Sequence, residues 1–371
     1  MRLSAALAVL LLIPGSACTG AGSAAAQPSG RVTFEIERSG QPGRVQLEIS
    51  RRSGNSHWTI GHTVDAASLE GLDPARLAGA GGPVAFRIAR EAGTLACEGS
   101  VGHGRGRGEC SFAADPRFAA ALAERGIGRP SMDEQFSMTM HDIGLAYVDE
   151  VRRQDYDTPS TVDLANAGDH GVTLDYLRGM GGHGYRVRRL GALIEMRDHG
   201  VTPDYIEALA RHDVRDISPA EIVRLRDHGV SADYVGELRQ LGYRRLSVEE
   251  MIELRDHGVA ADYVRTLAGN GIRDIPTEEL VRMRDHGVTP EFIVALRRAG
   301  YRLETGEIIE LRDHGVDESY VRELRTLGYA EIGPEQIVRL RDHGVTPDFI
   351  RRANAGGRHS PDDLVRLRSG G

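Results

Sequence analysis

Two hydrophobic periods divide the chain. From Arg31 to Ala114 apolar residues alternate with polar ones, as in Val32, Phe34, Ile36; Val45, Leu47, Ile49; Trp58, Ile60; and Val84, Phe86, Ile88. A period of two gives a strand one buried face. The clusters Ser39-Gly40 and Ser53-Gly54-Asn55 and residues 79–83 interrupt these runs as turns, so residues 31–114 predict an antiparallel sheet of about six strands. Residues 65–77 predict a short helix within it. Beyond Asp115 the spacing becomes helical and repeats. Three residues before each of six histidines stands Met196, Leu225, Leu254, Met283, Leu311 or Leu340; six after stands Tyr205, Tyr234, Tyr263, Phe292, Tyr320 or Phe349. An earlier copy has Ala167 and Tyr176 around His170.

The tripeptide Asp-His-Gly marks seven copies, with histidines at 170, 199, 228, 257, 286, 314 and 343, spaced by 29 residues with one spacing of 28. Fixed periods of this length identify a repeat array. The copy from Ser218 to Tyr243 reads as a helix hairpin. Ser218, Pro219 and Glu221 make a capping box with proline at the first helical position. Gly229 ends that helix in a Schellman motif with His228 as C-cap and Val230 folding back on Leu225. Ser231 caps a second helix, which ends at Gly242 with Tyr243 on Leu238. His141, Tyr147, Ser131 and Glu134 mark a degenerate copy upstream. Residues 115–126 read as a lone second helix and residues 360–368 as a lone first helix, the half-units that cap an array.

One unit cannot stand alone. About five buried apolar side chains at roughly 1.5–3 kcal/mol each do not offset ordering a whole unit at about 1.5 kcal/mol per residue. The fold class is therefore α+β: a small antiparallel β domain at 31–114, then an α-solenoid of about eight repeats at 115–371, with an extended surface and no single deep pocket. Four residues before successive histidines, Glu195, Arg224, Glu253, Arg282, Glu310 and Arg339 alternate in sign. Side by side, they predict an ion-pair ladder with a two-unit superperiod.

Arg2, the apolar run Leu3–Ile13 and Pro14-Gly15 read as a secretory signal, residues 1–17, too short to span a membrane as a mature helix. Cys18 follows a sequence resembling a lipobox, which makes it a candidate for lipidation; Ala24-Ala25-Ala26 is a competing cleavage site. Residues 18–30 form a flexible tether. Export directs the chain to the periplasm or, as a lipoprotein, to the outer membrane. Cys97 and Cys110 flank a glycine-rich turn near His103-Gly104, so a hairpin there sets them opposite each other as a disulfide pair, the alternative being two buried thiols.

The chemistry that the sequence offers is sparse. The net charge of −8 and the lack of a basic stripe with interleaved aromatics argue against nucleic acid. All 46 basic residues are arginine. Repeated Asp-His pairs suggest divalent metal, through His199, His228, His257 and His286 with Asp198, Asp227, Asp256 and Asp285. Neighbours on a helix diverge by about 100°, however, and stacked units stand about 8–10 Å apart, so capping is the simpler role. An aspartate at a helix C-terminus opposes the dipole and needs a partner, either N–H groups at the next helix start or an arginine such as Arg255 or Arg284. Residues 102–108 are glycine-rich without a following helix, which favours a flexible loop over a phosphate cradle. The sequence contains no His-Glu-x-x-His, Gly-x-Ser-x-Gly or Walker motif. No cofactor and no catalytic residue is assigned.

The run Leu340-Arg341-Asp342-His343-Gly344-Val345-Thr346-Pro347-Asp348-Phe349-Ile350 resembles uncharacterised repeats that follow the membrane-embedded metallopeptidase-like domain of some bacterial beta-lactam-sensor-type antirepressors. The sheet segment Ala85-Phe86-Arg87-Ile88-Ala89-Arg90-Glu91-Ala92-Gly93-Thr94 is similar to one that accompanies them. The zinc-binding helix and membrane spans are absent here, so no catalytic residue carries over. The resemblance implies an extracytoplasmic sensing or interaction module, including a regulatory part of an envelope signalling peptidase system. The expected function is a non-catalytic extracytoplasmic scaffold whose solenoid binds a protein or envelope polymer through variable positions of the second helices, among them Arg239, Arg265, Arg297 and Arg322.

Overall fold

A computed structural model describes residues 30–53, 56–185 and 187–370. The expected signal segment, Cys18 and all of the tether but Gly30 lie outside the described residues. Contacts divide the chain into two compact units: one runs to Leu145 and includes Ser160–Ala165, the other comprises Ala146–Pro159 and Asn166 onward.

The first unit holds a six-stranded antiparallel sheet: β1 Arg31–Arg38, β2 Arg44–Ser53, β3 Ser56–Asp65, β4 Gly82–Arg90, β5 Gly93–Gly102 and β6 Arg105–Ala114, in the order β3-β2-β1-β6-β5-β4. The alternating residues Val32, Phe34, Ile36, Val45, Leu47, Ile49, Val84, Phe86 and Ile88 all point into its core. Between β3 and β4 the chain makes a 3₁₀ turn, Ala66–Ser68, and a one-turn helix, α1 Pro74–Ala78, where a single short helix was expected. Cys97 and Cys110 pair directly across β5 and β6 and form the disulfide.

The glycine-rich segment turns at His103-Gly104 as expected, but its remaining glycines are strand and not a flexible loop. Gly102 pairs with Arg105, so His103 and Gly104, both at positive φ, make a two-residue hairpin turn, and Gly106 and Gly108 lie inside β6. Their lack of a side chain has a packing cause. A Cβ at Gly108 would sit 2.6 Å from the Phe34 ring and 2.1 Å from the Glu98 carbonyl oxygen, and one at Gly106 would meet Ile36 at 2.9 Å. The large residues of β1 fill the space that these glycines vacate.

Helices follow: α2 Pro116–Glu124, α3 Met132–Met140, α4 Leu145–Arg153, α5 Thr161–Asp169, α6 Leu174–Gly182, α7 Leu190–Asp198, α8 Pro203–Ala210, α9 Pro219–Asp227 and α10 Ala232–Gln240. The row continues with α11 Val248–Asp256, α12 Ala261–Gly269, α13 Thr277–Asp285, α14 Pro290–Arg298, α15 Thr305–Asp313, α16 Glu318–Thr326, α17 Pro334–Asp342, α18 Pro347–Ala353 and α19 Pro361–Ser369. The first unit extends beyond Ala114, because Phe136 of α3 packs edge-on against Phe112 and Trp58 at ring separations of 5.4 and 5.8 Å.

Local chemistry sets the hairpin of α9 and α10 as expected. Ser218 and Glu221 cap α9 reciprocally, and His228 is its C-cap. Gly229 adopts φ 67°, and the Val230 N–H donates to the Leu225 carbonyl at 2.9 Å, closing the Schellman turn. Ser231 caps α10, and the Tyr243 N–H returns to Leu238 at 3.0 Å. In the degenerate copy Asp142 takes the left-handed position at φ 56°. First helices pack on first helices from α7 through α19, and second helices on second helices from α6 through α18. No described helix is long and apolar enough to cross a membrane.

Candidate functional site

The recurring chemistry of the repeats is the Asp-His-Gly tripeptide, preceded by arginine in every copy after the first, together with the tyrosine or phenylalanine that follows, and the structure joins these groups across the seam between neighbouring units. His170 bonds Asp198, His199 bonds Asp227, His228 bonds Asp256, His257 bonds Asp285, His286 bonds Asp313 and His314 bonds Asp342, each through Nδ1 at 2.7–2.9 Å. A carboxylate accepts only, so Nδ1 carries the hydrogen and donates it. The aspartate that opposes its own helix dipole is held by the imidazole of the preceding unit. This corrects the expected partners, which were helix N–H groups or an arginine.

The arginines have a different task. Arg197, Arg226, Arg255, Arg284, Arg312, Arg341 and Arg368 lie over the rings of Tyr176, Tyr205, Tyr234, Tyr263, Phe292, Tyr320 and Phe349, at 5.0–5.5 Å from the ring centres. Arg284 and Arg312 also donate through Nε to the carbonyls of Gly258 and Gly287. The buried tyrosine hydroxyls complete the seam: Tyr176, Tyr205, Tyr234, Tyr263 and Tyr320 donate to the carbonyls of Val201, Val230, Val259, Val288 and Val345 at 2.7–3.1 Å. Burial raises these phenols; those of Tyr176, Tyr205, Tyr234 and Tyr263 are pushed up to about 12, so they remain donors. The row stops where the sequence changes. In the terminal half-unit Ser369 and Gly370 stand at the places of aspartate and histidine, and His343 turns Nδ1 to its own helix, to the Arg339 carbonyl at 3.0 Å.

The proposed metal ligands are thus brought together in pairs, one imidazole and one carboxylate from successive units. Among the described residues no group of three or more histidine, cysteine, aspartate or glutamate side chains gathers around one point. Each paired imidazole remains 39–46% exposed, with Nε2 directed away from the carboxylate. The carboxylate hydrogen bond comes first among the causes that raise His199, His257 and His314 above the ordinary imidazole value. Glu195, Glu253 and Glu310, four residues earlier on the same helices, add to it. The two-unit alternation therefore has a consequence at the histidines.

The expected ladder among those alternating charges does not form as foreseen. Arg224 reaches Glu249 and Arg339 reaches Asp362, acids in the first turn of the next first helix, while Arg282 pairs within its own helix with Glu279. The four arginines proposed for partner binding also separate. Arg239 is engaged with Asp213 and the Arg244 carbonyl, and Arg265 bridges Asp262 and Glu237. Arg297 is half-buried and Arg322 exposed. Open clefts of about 490 and 550 Å³ lie on the array. No protein-family model and no curated protein matches this chain.

Proposed function

We propose that this chain is a non-catalytic, exported binding scaffold whose helical array presents its second helices to a protein partner in the bacterial envelope. The observation that carries the reading is the consumption of the repeated polar residues at the seams between units. Arginine, aspartate, histidine and tyrosine are spent on joining repeats, so the ligand-specific surface resides in the residues that vary from unit to unit. Repeat arrays recognise partners through such faces. The resemblance to repeats attached to envelope sensor peptidases supports a sensing or interaction role. Crosslinking in intact cells followed by affinity capture tests it: a partner recovered in fixed proportion to the chain is expected, and recovery of nothing above background removes the reading.

A second reading rests on the exposed Nε2 atoms. A carboxylate on Nδ1 orients an imidazole as the carboxylates behind metal-bound histidines do, and the free nitrogen is then a ligand for a divalent ion. Elemental analysis after mild dialysis separates the two: stoichiometric zinc or copper favours metal, and a metal-free sample that keeps its helical spectrum favours the scaffold.

A further inference from the structure

Along the second helices glutamate–arginine pairs join three of the seams between neighbouring units. Glu150 pairs with Arg178 at 3.4 Å, Glu237 with Arg265 at 3.2 Å, and Glu323 with Arg351. Between α14 and α16 only the arginine of such a pair is present. There Val294 stands at the place of Arg265, Arg322 and Arg351, and Ala295 at the place of Glu237 and Glu323. Arg322 of α16 therefore faces alanine where its counterparts face a carboxylate. Among the described residues it has no ion-pair partner, and neither do Arg298 and Arg325 beside it.

A groove of about 550 Å³ lies between these helices, with Pro290, Val294, Ala295 and Ala299 along its floor. Its ends differ in charge. Glu291 and Glu318 stand at the N-terminal turns of α14 and α16, and exposed Arg298, Arg322 and Arg325 line the remainder. Three guanidiniums without carboxylates call for an anionic group, which they can hold bidentately. The aliphatic floor calls for an apolar side chain. The two glutamates at the far end repel a uniformly anionic ligand, such as a phospholipid surface or a polyanion, and accept a cation instead. One chain carrying acidic, aliphatic and basic groups in succession is a polypeptide.

We propose that this groove is the docking site for a short segment of a partner protein, with its acidic residues over Arg298, Arg322 and Arg325, an aliphatic residue over Val294 and Ala295, and a basic residue beside Glu291 and Glu318. The proposal rests on the scaffold reading and names its protein-binding site. A labelled synthetic peptide carrying glutamates, then leucine and valine, then lysine is titrated against the full chain by fluorescence anisotropy, beside a version with glutamines for glutamates and beside phosphatidylglycerol vesicles. Saturable binding of the acidic peptide is expected, about tenfold weaker for the glutamine version and about tenfold weaker for Ala295→Glu, which supplies Arg322 with its missing partner. Arg298→Ala with Arg322→Ala serves as the second variant, and retention of the helical spectrum shows that each variant is folded. The proposal is overturned by acidic-peptide affinity that Ala295→Glu leaves unchanged, by no peptide binding, or by vesicles binding more tightly than the peptide. A partner captured from cells equally by wild type and Ala295→Glu rejects the groove while leaving the scaffold reading standing.

Discussion

The sheet and the helical array solve the same problem of stability in opposite ways. In the sheet each contact occurs once: β1 is held between β2 and β6, its Phe34 occupies the space above Gly108, and a covalent bond ties β5 to β6. Removing any member disturbs the whole. In the array one set of contacts recurs, and every unit needs only its neighbours. Its energy is a sum of similar terms, whereas the sheet is a single cooperative body. The comparison teaches that repetition tolerates a poor seam, while a small unique core does not.

The largest test breaks the array's core. Leu254 is fully buried at the end of α11, and Leu254→Ala is expected to cost about 2–5 kcal/mol. The loss falls at one internal unit, so the helical far-UV transition should broaden or divide. Trp58 is the only tryptophan and lies in β3, so its fluorescence follows the sheet, and that transition should not move. A single sharp transition shared by both signals would refute the nearest-neighbour view.

The mirror experiment removes the sheet's staple. Replacing Cys97 and Cys110 by alanine releases a loop closed over 13 residues and should destabilise the sheet by about 2–4 kcal/mol. Here the Trp58 transition should fall while the helical one stays. Smaller again is Tyr234→Phe, which deletes the bond to the Val259 carbonyl and is expected to cost about 0.5–1.5 kcal/mol. Phe292 shows that the array already accommodates phenylalanine at the equivalent place.

The fold was largely legible because its determinants are local. The capping box at Ser218 and Glu221, the Schellman turn at Gly229 and the alternation in β1 depend on residues a few positions apart. The seams were not legible, because they depend on the lateral offset of one helix on the next. Treating equivalent residues as neighbours implies an offset of one full repeat, and that error misplaced the Glu253–Arg282 ladder. The observed pairs are separated by 28 residues for His228–Asp256 and Glu237–Arg265 and by 25 for Tyr234–Val259 and Arg224–Glu249. The recurring aspartate of the Arg-Asp-His-Gly motif was the available signal, since an acid at a helix C-terminus demands a cation from elsewhere. The glycines of β6 misled for the same reason: what fills the space above them comes from β1, some seventy residues away in sequence and unknowable from their own neighbours.

The smallest effects carry the sharpest contrast, because the two regions are expected to respond to acid with opposite sign. In the array His199, His257 and His314 are raised above 6.5, first by their aspartate bonds. A raised folded value means that the charged form is favoured on folding, so this stabilisation is fully present below the unfolded value and fades as pH rises through the folded one. In the sheet His62 is lowered, first by desolvation of its half-covered ring and then by the like charge of His141. Its contribution is present above 6.5 and is lost as pH falls through the lowered folded value. Moving from slightly alkaline to mildly acidic buffer should therefore raise the helical transition and lower that of Trp58. Asp285→Asn, which takes the carboxylate from His257, should flatten the first trend without touching the second. His62→Gln should do the reverse. If both transitions shifted in the same direction, the histidines at the seams would not be what couples the array to pH.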